Sequence, residues 1–247
     1  MNLESAQLFL ASGIIGFLIG AVGVGGILLI PVLVGLAGLT PHQASATALF
    51  TFLFTGILGT VLFQRQGSID WRQATAVCAG AVGFSYVGAM ASAAVGDASL
   101  MRVIAALIIF AGAYVFFPAK KGVIVRAKGD RFALLITIGA AAGFGSGFSG
   151  AGGPLFSVPL MMVAGFSPLL TIGASQVLQI FSATSGTLAN VQYGDIQWHL
   201  ATWITAGELI GVIAGVKLAH SVASNTLKRI AGLICLTVGA WLLMQNN

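Results

Sequence analysis

Apolar residues fall into long stretches separated by short polar or glycine-bearing breaks. Six stretches are continuous: 43–64, 74–95, 101–117, 170–191, 201–220 and 230–243. They come near the ~20 residues that a helix needs to cross hydrocarbon, with the last of each half short. Two others, 8–38 and 132–166, are broken by glycine clusters followed by Pro31, or by Pro154 and Pro159. Glycine and proline both disfavour a helix interior. In the first, about 15 residues precede Gly23 and about 11 run from Ile27 to Ala37, so at ~1.5 Å per residue each arm is expected to reach only part way across. Each broken element therefore reads as a re-entrant hairpin of two half-helices.

The pattern repeats at a fixed offset of 127 residues. Gly16, Phe17, Gly20, Gly23, Gly25 and Gly26 recur as Gly143, Phe144, Gly147, Gly150, Gly152 and Gly153. Gly38 and Pro41 recur as Gly165 and Pro168, and Gly67, Ile69 and Trp71 as Gly194, Ile196 and Trp198. Leu100 and Arg102 recur as Leu227 and Arg229. Chance matching would not hold register through Pro, Trp and Arg. The chain divides into a first repeat (1–117), a basic linker (118–131) and a second repeat (132–247). The predicted fold is an all-α polytopic membrane protein of two repeats, each a Gly-broken element plus three transmembrane helices.

Composition agrees. Hydrophobic residues make up 57% of the 247 residues and charged residues 7%, against about 25% charged in a soluble domain. Most of the surface must face lipid. The net charge of +5 gathers in the linker at Lys120, Lys121, Arg126, Lys128 and Arg131, with no interleaved aromatics to suggest nucleic acid. Cys78 and Cys235 lie in apolar segments and read as buried thiols. His42, His199 and His220 have no ligand spacing, so neither metal nor cofactor is expected. Residues 1–7 lack a basic leader, and the first apolar stretch is expected to be retained.

Charge also orients the repeats. A hairpin plus three spans is an odd number of crossings, which inverts the second copy relative to the first. With the linker cytoplasmic, Arg65, Arg72, the five linker cations, Lys217, Lys228 and Arg229 all fall inside, and Arg102 alone falls outside. Parallel repeats would move Lys217, Lys228 and Arg229 outside. Inversion is the expected topology, with both termini outside.

Inverted repeats with discontinuous helices at the midplane are a recurring transporter design. Broken backbone survives in a bilayer only inside protein or along a wet cavity, and a half-helix N-terminus offers free N–H groups and positive dipole charge to an anion. Gly23, Gly25, Gly26, Gly150, Gly152 and Gly153, with Ser149, are the candidate substrate contacts. Close packing through small residues accounts better for Gly16, Gly80, Gly88, Gly207 and Gly215. The spans that follow carry Thr47, Thr51 and Thr55 on one face, and Ser175, Gln176, Gln179 and Ser182 in the second copy. Thr47, Ser175, Gln176 and Gln179 are candidate neutral donors, with interhelical hydrogen bonding as the alternative. Glu208 is the one carboxylate well inside a predicted span, and intramembrane acids are candidates for proton coupling.

With these motifs in view, the whole chain resembles the TauE/SafE family of sulfite exporters. The resemblance is carried by Gly20 to Gly26 with Pro31, Gly38-Leu-Thr-Pro-His-Gln-Ala44, Gly147 to Gly153 with Pro159, and the loops Gly67-Ser-Ile-Asp-Trp71 and Gly194-Asp-Ile-Gln-Trp198. Where Gly-Thr-Ser is common in the family, this chain has Ala46-Thr47-Ala48 and Gly173-Ala174-Ser175. The resemblance implies a secondary transporter of small sulfur-containing anions, sulfite or organosulfonates such as sulfoacetate, acting as an exporter in a bacterial inner membrane. The partners are then a small anionic solute and the bilayer, with homodimerisation open. An anion channel is the nearer alternative. A rhomboid-like serine protease is the more distant one, suggested by Gly147-Phe148-Ser149-Gly150; it needs a base beside Ser149.

Overall fold

The computed structural model describes residues 3–23, 25–114, 116, 128–221 and 225–245. These form ten α-helices and one short 3₁₀ turn: α1 (Leu3–Val22), the turn Gly26–Leu28, α2 (Leu29–Ala37), α3 (Pro41–Arg65), α4 (Trp71–Ala93), α5 (Asp97–Tyr114), α6 (Lys128–Ser149), α7 (Pro154–Val163), α8 (Pro168–Tyr193), α9 (Trp198–Ser221) and α10 (Asn225–Gln245). No strand occurs among the described residues. Most of the linker, 117–127, lies outside them, including Lys120, Lys121 and Arg126.

Local sequence sets the boundaries. Thr40 caps α3 in a reciprocal box with Gln43, and Pro41 occupies the first turn, where its missing N–H costs nothing. Asp70 caps α4 by accepting from Arg72 N at 3.0 Å and Gln73 N at 3.2 Å. Among the described residues, five helices are long and apolar enough to cross a membrane: α3, α4, α5, the Phe132–Ser149 part of α6, and the Trp198–Leu218 part of α9. The 26-residue α8 is not among them, because Ser175, Gln176, Gln179, Ser182 and Ser185 lower its hydropathy. All five are buried, so the polar face of α8 meets protein and not lipid. Leu10, Ile14, Phe84, Val87, Ile210 and Leu233 are among the side chains left on the outside, as a hydrocarbon solvent requires.

The first arms are longer than the sequence suggests. α1 has 20 residues and α6 has 22, each about 30 Å at 1.5 Å per residue. Glu4 and Ser5 continue α1, and Lys128 to Arg131 continue α6, because a polar stretch with no proline need not stop a helix. Only α2 and α7, with 9 and 10 residues, are half-length. α2 folds back beside α1: Ala11, Ile14 and Leu18 share a lipid-side groove with Pro31, Gly35 and Leu36.

Glycine notches set the helix pairs. A Cβ on Gly16 or Gly20 would strike the backbone of Glu208 or Val212, so α1 lies directly on α9. Gly139, Gly143 and Gly147 meet the backbone of Val77, Ala81 and Ser85 in the same way, so α6 lies on α4. Numbers rise together in both pairs, which makes both parallel. α3 and α8 run antiparallel: Leu49 faces Gly186, Phe52 faces Gln179, and Gly59 faces Gln176. α5 and α10 are antiparallel too, Gly112 meeting Gly232 while Gly239 meets Ile109. α3 runs with α9, since Thr47 meets Gln197, Phe50 meets Trp198 and Thr51 lies beside Glu208. α1 and α3 therefore start at the same end of the bundle.

Candidate functional site

The two glycine tips are built alike. α1 ends where Gly23 N donates to Ile19 O at 3.0 Å, and α6 ends where Gly150 N donates to Ser146 O at 2.9 Å. Gly23 and Gly150 then turn the chain at φ +75° and +70°, and Gly152 follows at +82°. A side chain is strained in that left-handed region. After the turns come the N-termini of α2 and α7. Among the described residues, the backbone N–H groups of Gly25, Gly26, Gly152 and Gly153 make no hydrogen bond, as expected of a first helical turn.

The tips meet at the middle of α3 and α8. A cavity of about 10 Å³ lies between them, bounded by Gly23, Gly25, Gly26, Phe52, Ala151 and Gln179. That is room for roughly one water molecule. A Cβ on Gly26 would sit 2.8 Å from Phe52 Cζ and 3.1 Å from Ala151 O; one on Gly152 would sit 3.2 Å from Phe52 Cδ2. The Phe52 ring is thus held between the two tips. Gln179 Nε2 donates to Phe52 O at 3.0 Å and to Thr55 Oγ1 at 2.8 Å. Because a carbonyl can only accept, both amide hydrogens of Gln179 are engaged and its oxygen is the group left for a ligand.

The other candidates divide. Gly25 borders the cavity, but its Cβ position lies 2.6 Å from Leu18 Cβ, so it also seats the hairpin against α1. Gly150 abuts the backbone of Ser45 at 2.5 Å, and Gly153 abuts Leu178. Neither borders the cavity. Ser149 Oγ donates to Gly145 O at 2.7 Å and accepts from Ala151 N at 3.3 Å. No hydrogen bond from Ser149 to a histidine is found among the described residues, and His199 is exposed at the start of α9. Thr47 accepts from Gln197 N at 3.0 Å, which ties α3 to the loop before α9. Ser175 donates to Thr171 O at 2.7 Å and meets Ser157 Oγ at 2.9 Å. Gln176 is fully buried beside Gly59 with neither side-chain polar atom bonded. Ser149, Thr47, Ser175 and Gln176 all lie off the cavity.

Glu208 is fully buried on α9, seated by Gly16 of α1. Thr51 lies beside it, but the Thr51 hydroxyl is directed to Ala48 O at 2.9 Å. Neither carboxyl oxygen makes a hydrogen bond of normal geometry. Thr51 is the neighbour of Phe52, so Glu208 stands one residue removed from the tip contacts.

The residue that sequence reasoning missed is Phe52. Its one signal was its position, 127 residues before Gln179.

The sequence model of the family "Sulfite exporter TauE/SafE" matches residues 8–242. The chain is 24% identical over 262 residues to the "Probable membrane transporter protein YunE" of Bacillus subtilis (strain 168), covering 96% of this chain and 95% of that one. It is 25% identical over 248 residues to the "Probable membrane transporter protein YfcA" of Escherichia coli (strain K12), covering 97% and 90%. It is 23% identical over 240 residues to the "Probable membrane transporter protein ORF9" of Sinorhizobium sp, covering 96% and 92%. No solved structure matches the chain at a significant level.

Proposed function

The chain belongs to the Sulfite exporter TauE/SafE family, a multi-pass membrane transporter by its relatives and its apolar helices, and on that premise we propose that it carries a small sulfur-containing anion, sulfite or an organosulfonate such as sulfoacetate, outward across a bacterial inner membrane. The observation that supports this reading best is the meeting of two glycine-bearing tips, each leading into a helix N-terminus, at one small cavity lined by Gly23, Gly25 and Gly26 of the first and by Ala151 and Pro154 of the second. Two N-termini offer positive potential without a titratable cation, each about 0.3–1 kcal/mol when exposed and up to ~2 when partly buried. Several acceptor oxygens on one sulfur suit a set of N–H donors. With no lysine or arginine on its boundary, the site can release what it binds.

Alternating access between two inverted repeats fits the same arrangement. The antiparallel packing of α3 on α8, repeat mates at the 127-residue offset, supports inversion. By helix direction, Arg65, Arg72, Lys217 and Arg229 fall at one end of the bundle and Arg102 at the other. The linker joins helix ends at the cation-rich side, which is cytoplasmic by the positive-inside rule. Glu208 is the proton-coupling candidate in this reading, because an intramembrane acid is a functional-site candidate by default and often belongs to a proton relay.

Flux of labelled sulfite in proteoliposomes tests the proposal. A carrier gives saturable flux that an opposing proton gradient drives uphill. Flux that follows only the sulfite gradient and never saturates would favour a channel, and no sulfite or sulfoacetate flux would reject the substrate class.

A further inference from the structure

We propose that the Phe52 ring is the movable barrier of the anion path and sets the upper size of the solute that passes; this rests on the reading that the anion binds between the two glycine tips. The ring occupies the space an anion needs. A Cβ on Gly26 of one tip or on Gly152 of the other would lie 2.8 or 3.2 Å from it, and it borders the same cavity as Gly25 and Gly26 of the first tip and Ala151 of the second. That cavity holds about one water molecule, whereas sulfite has four heavy atoms and a sulfonate more. An anion cannot meet both helix N-termini while the ring stands between them.

The surroundings single out Phe52 as the group that gives way. Both tips present glycine to it, so the ring slides against backbone with no side chain interlocked on those two faces. Its own backbone is fixed, because Gln179 Nε2 holds the Phe52 carbonyl and the Thr55 hydroxyl together. Rotation about the side-chain torsions is the motion left to it. The repeat mate of Phe52 is Gln179 itself, so one copy supplies the barrier and the other the anchor. An aromatic ring is rigid, and how far it swings limits the width of the opening.

The experiment compares sulfite with benzenesulfonate in proteoliposomes. The parent should carry sulfite and exclude benzenesulfonate. Phe52→Leu should keep sulfite flux and raise benzenesulfonate flux relative to sulfite by roughly tenfold or more, the scale on which a change of pocket size discriminates ligands. Phe52→Met, close in volume to leucine and flexible, should act in the same direction and stands in should the leucine variant fail to fold. Phe63→Leu trims another fully buried ring of α3, ~16 Å further along the helix, and should leave the ratio unchanged. Gly26→Val tests the site itself and should abolish sulfite flux. If it does so while both Phe52 variants keep the parent ratio, the barrier is wrong and the site stands. Parent-like sulfite flux in Gly26→Val overturns the site and the barrier with it, and free passage of benzenesulfonate through the parent overturns the barrier alone.

Discussion

The side-chain amide of Gln179 donates to the carbonyl of Phe52 at 3.0 Å, and the two residues are repeat mates 127 positions apart. The hydrogen bond fastens α3 to α8 near the place where the glycine tips meet. Gln179→Leu removes both donors and leaves the Thr55 hydroxyl bonded only to Phe52 O. It should destabilise the protein by about 1–3 kcal/mol, the cost of leaving buried polar groups less well satisfied. A lowered thermal midpoint in detergent would record this; an unchanged midpoint would show that the bond contributes nothing.

Gly26 and Gly88 should respond differently to enlargement. A Cβ on Gly88 would overlap the carbonyl of Phe144, and backbone in a helix pair cannot step aside. Gly88→Val should force α4 from α6, with a cost at or above the ~1–3 kcal/mol typical of overpacking. Its yield and thermal midpoint should fall while the surviving protein still binds sulfite. At Gly26 the nearest obstacle is the tip of the Phe52 ring at 2.8 Å, with Ala151 O at 3.1 Å, against 2.2 Å to backbone at Gly88, and on the barrier proposal the ring gives way. Gly26→Val should cost less stability and more binding. Equal losses of stability and binding at both positions would erase the distinction between packing glycines and site glycines.

Glu208→Gln should keep fold and binding and flatten the pH dependence of transport. The carboxyl is buried with both oxygens unbonded, so a neutral amide of the same shape breaks no existing contact. Sulfite flux measured from pH 5 to 9, roughly centred on physiological pH, would decide. A variant that retains the parent profile takes the proton role away from Glu208.

Inversion predicts opposite labelling of two exposed positions, Gln66 after α3 and His199 at the start of α9. In intact cells an impermeant thiol reagent should reach His199→Cys and miss Gln66→Cys. The native Cys78 and Cys235 are buried and should stay silent. Labelling of both introduced cysteines from outside would rule the topology out.

Much of this was legible in sequence because the two copies carry it twice. Gly23 and Gly150 announce a break through composition, and their shared left-handed turn follows from the same chemistry. The 127-residue offset marks α3 and α8 as mates. What sequence could not give is contact between helices. Thr47 and Ser175 have the spacing of a polar face, but their partners, Gln197 and Thr171, follow from a dipping loop and from a hydroxyl turned back on its own helix. Phe52 is one of 16 phenylalanines and becomes special only when α8 packs antiparallel to α3 and brings both tips against its ring. Hydropathy alone starts the first arm near Leu8, because Glu4 and Ser5 look like an end, while α1 continues through them.

The central claim is that an anion sits between the tips of the two glycine hairpins. The most direct measurement is equilibrium binding of labelled sulfite to purified parent and Gly26→Val protein, with thermal unfolding run on the same samples. The account predicts saturable binding by the parent and none by a Gly26→Val protein that unfolds cooperatively near the parent temperature. Cooperatively folded Gly26→Val that binds sulfite as the parent does would contradict it.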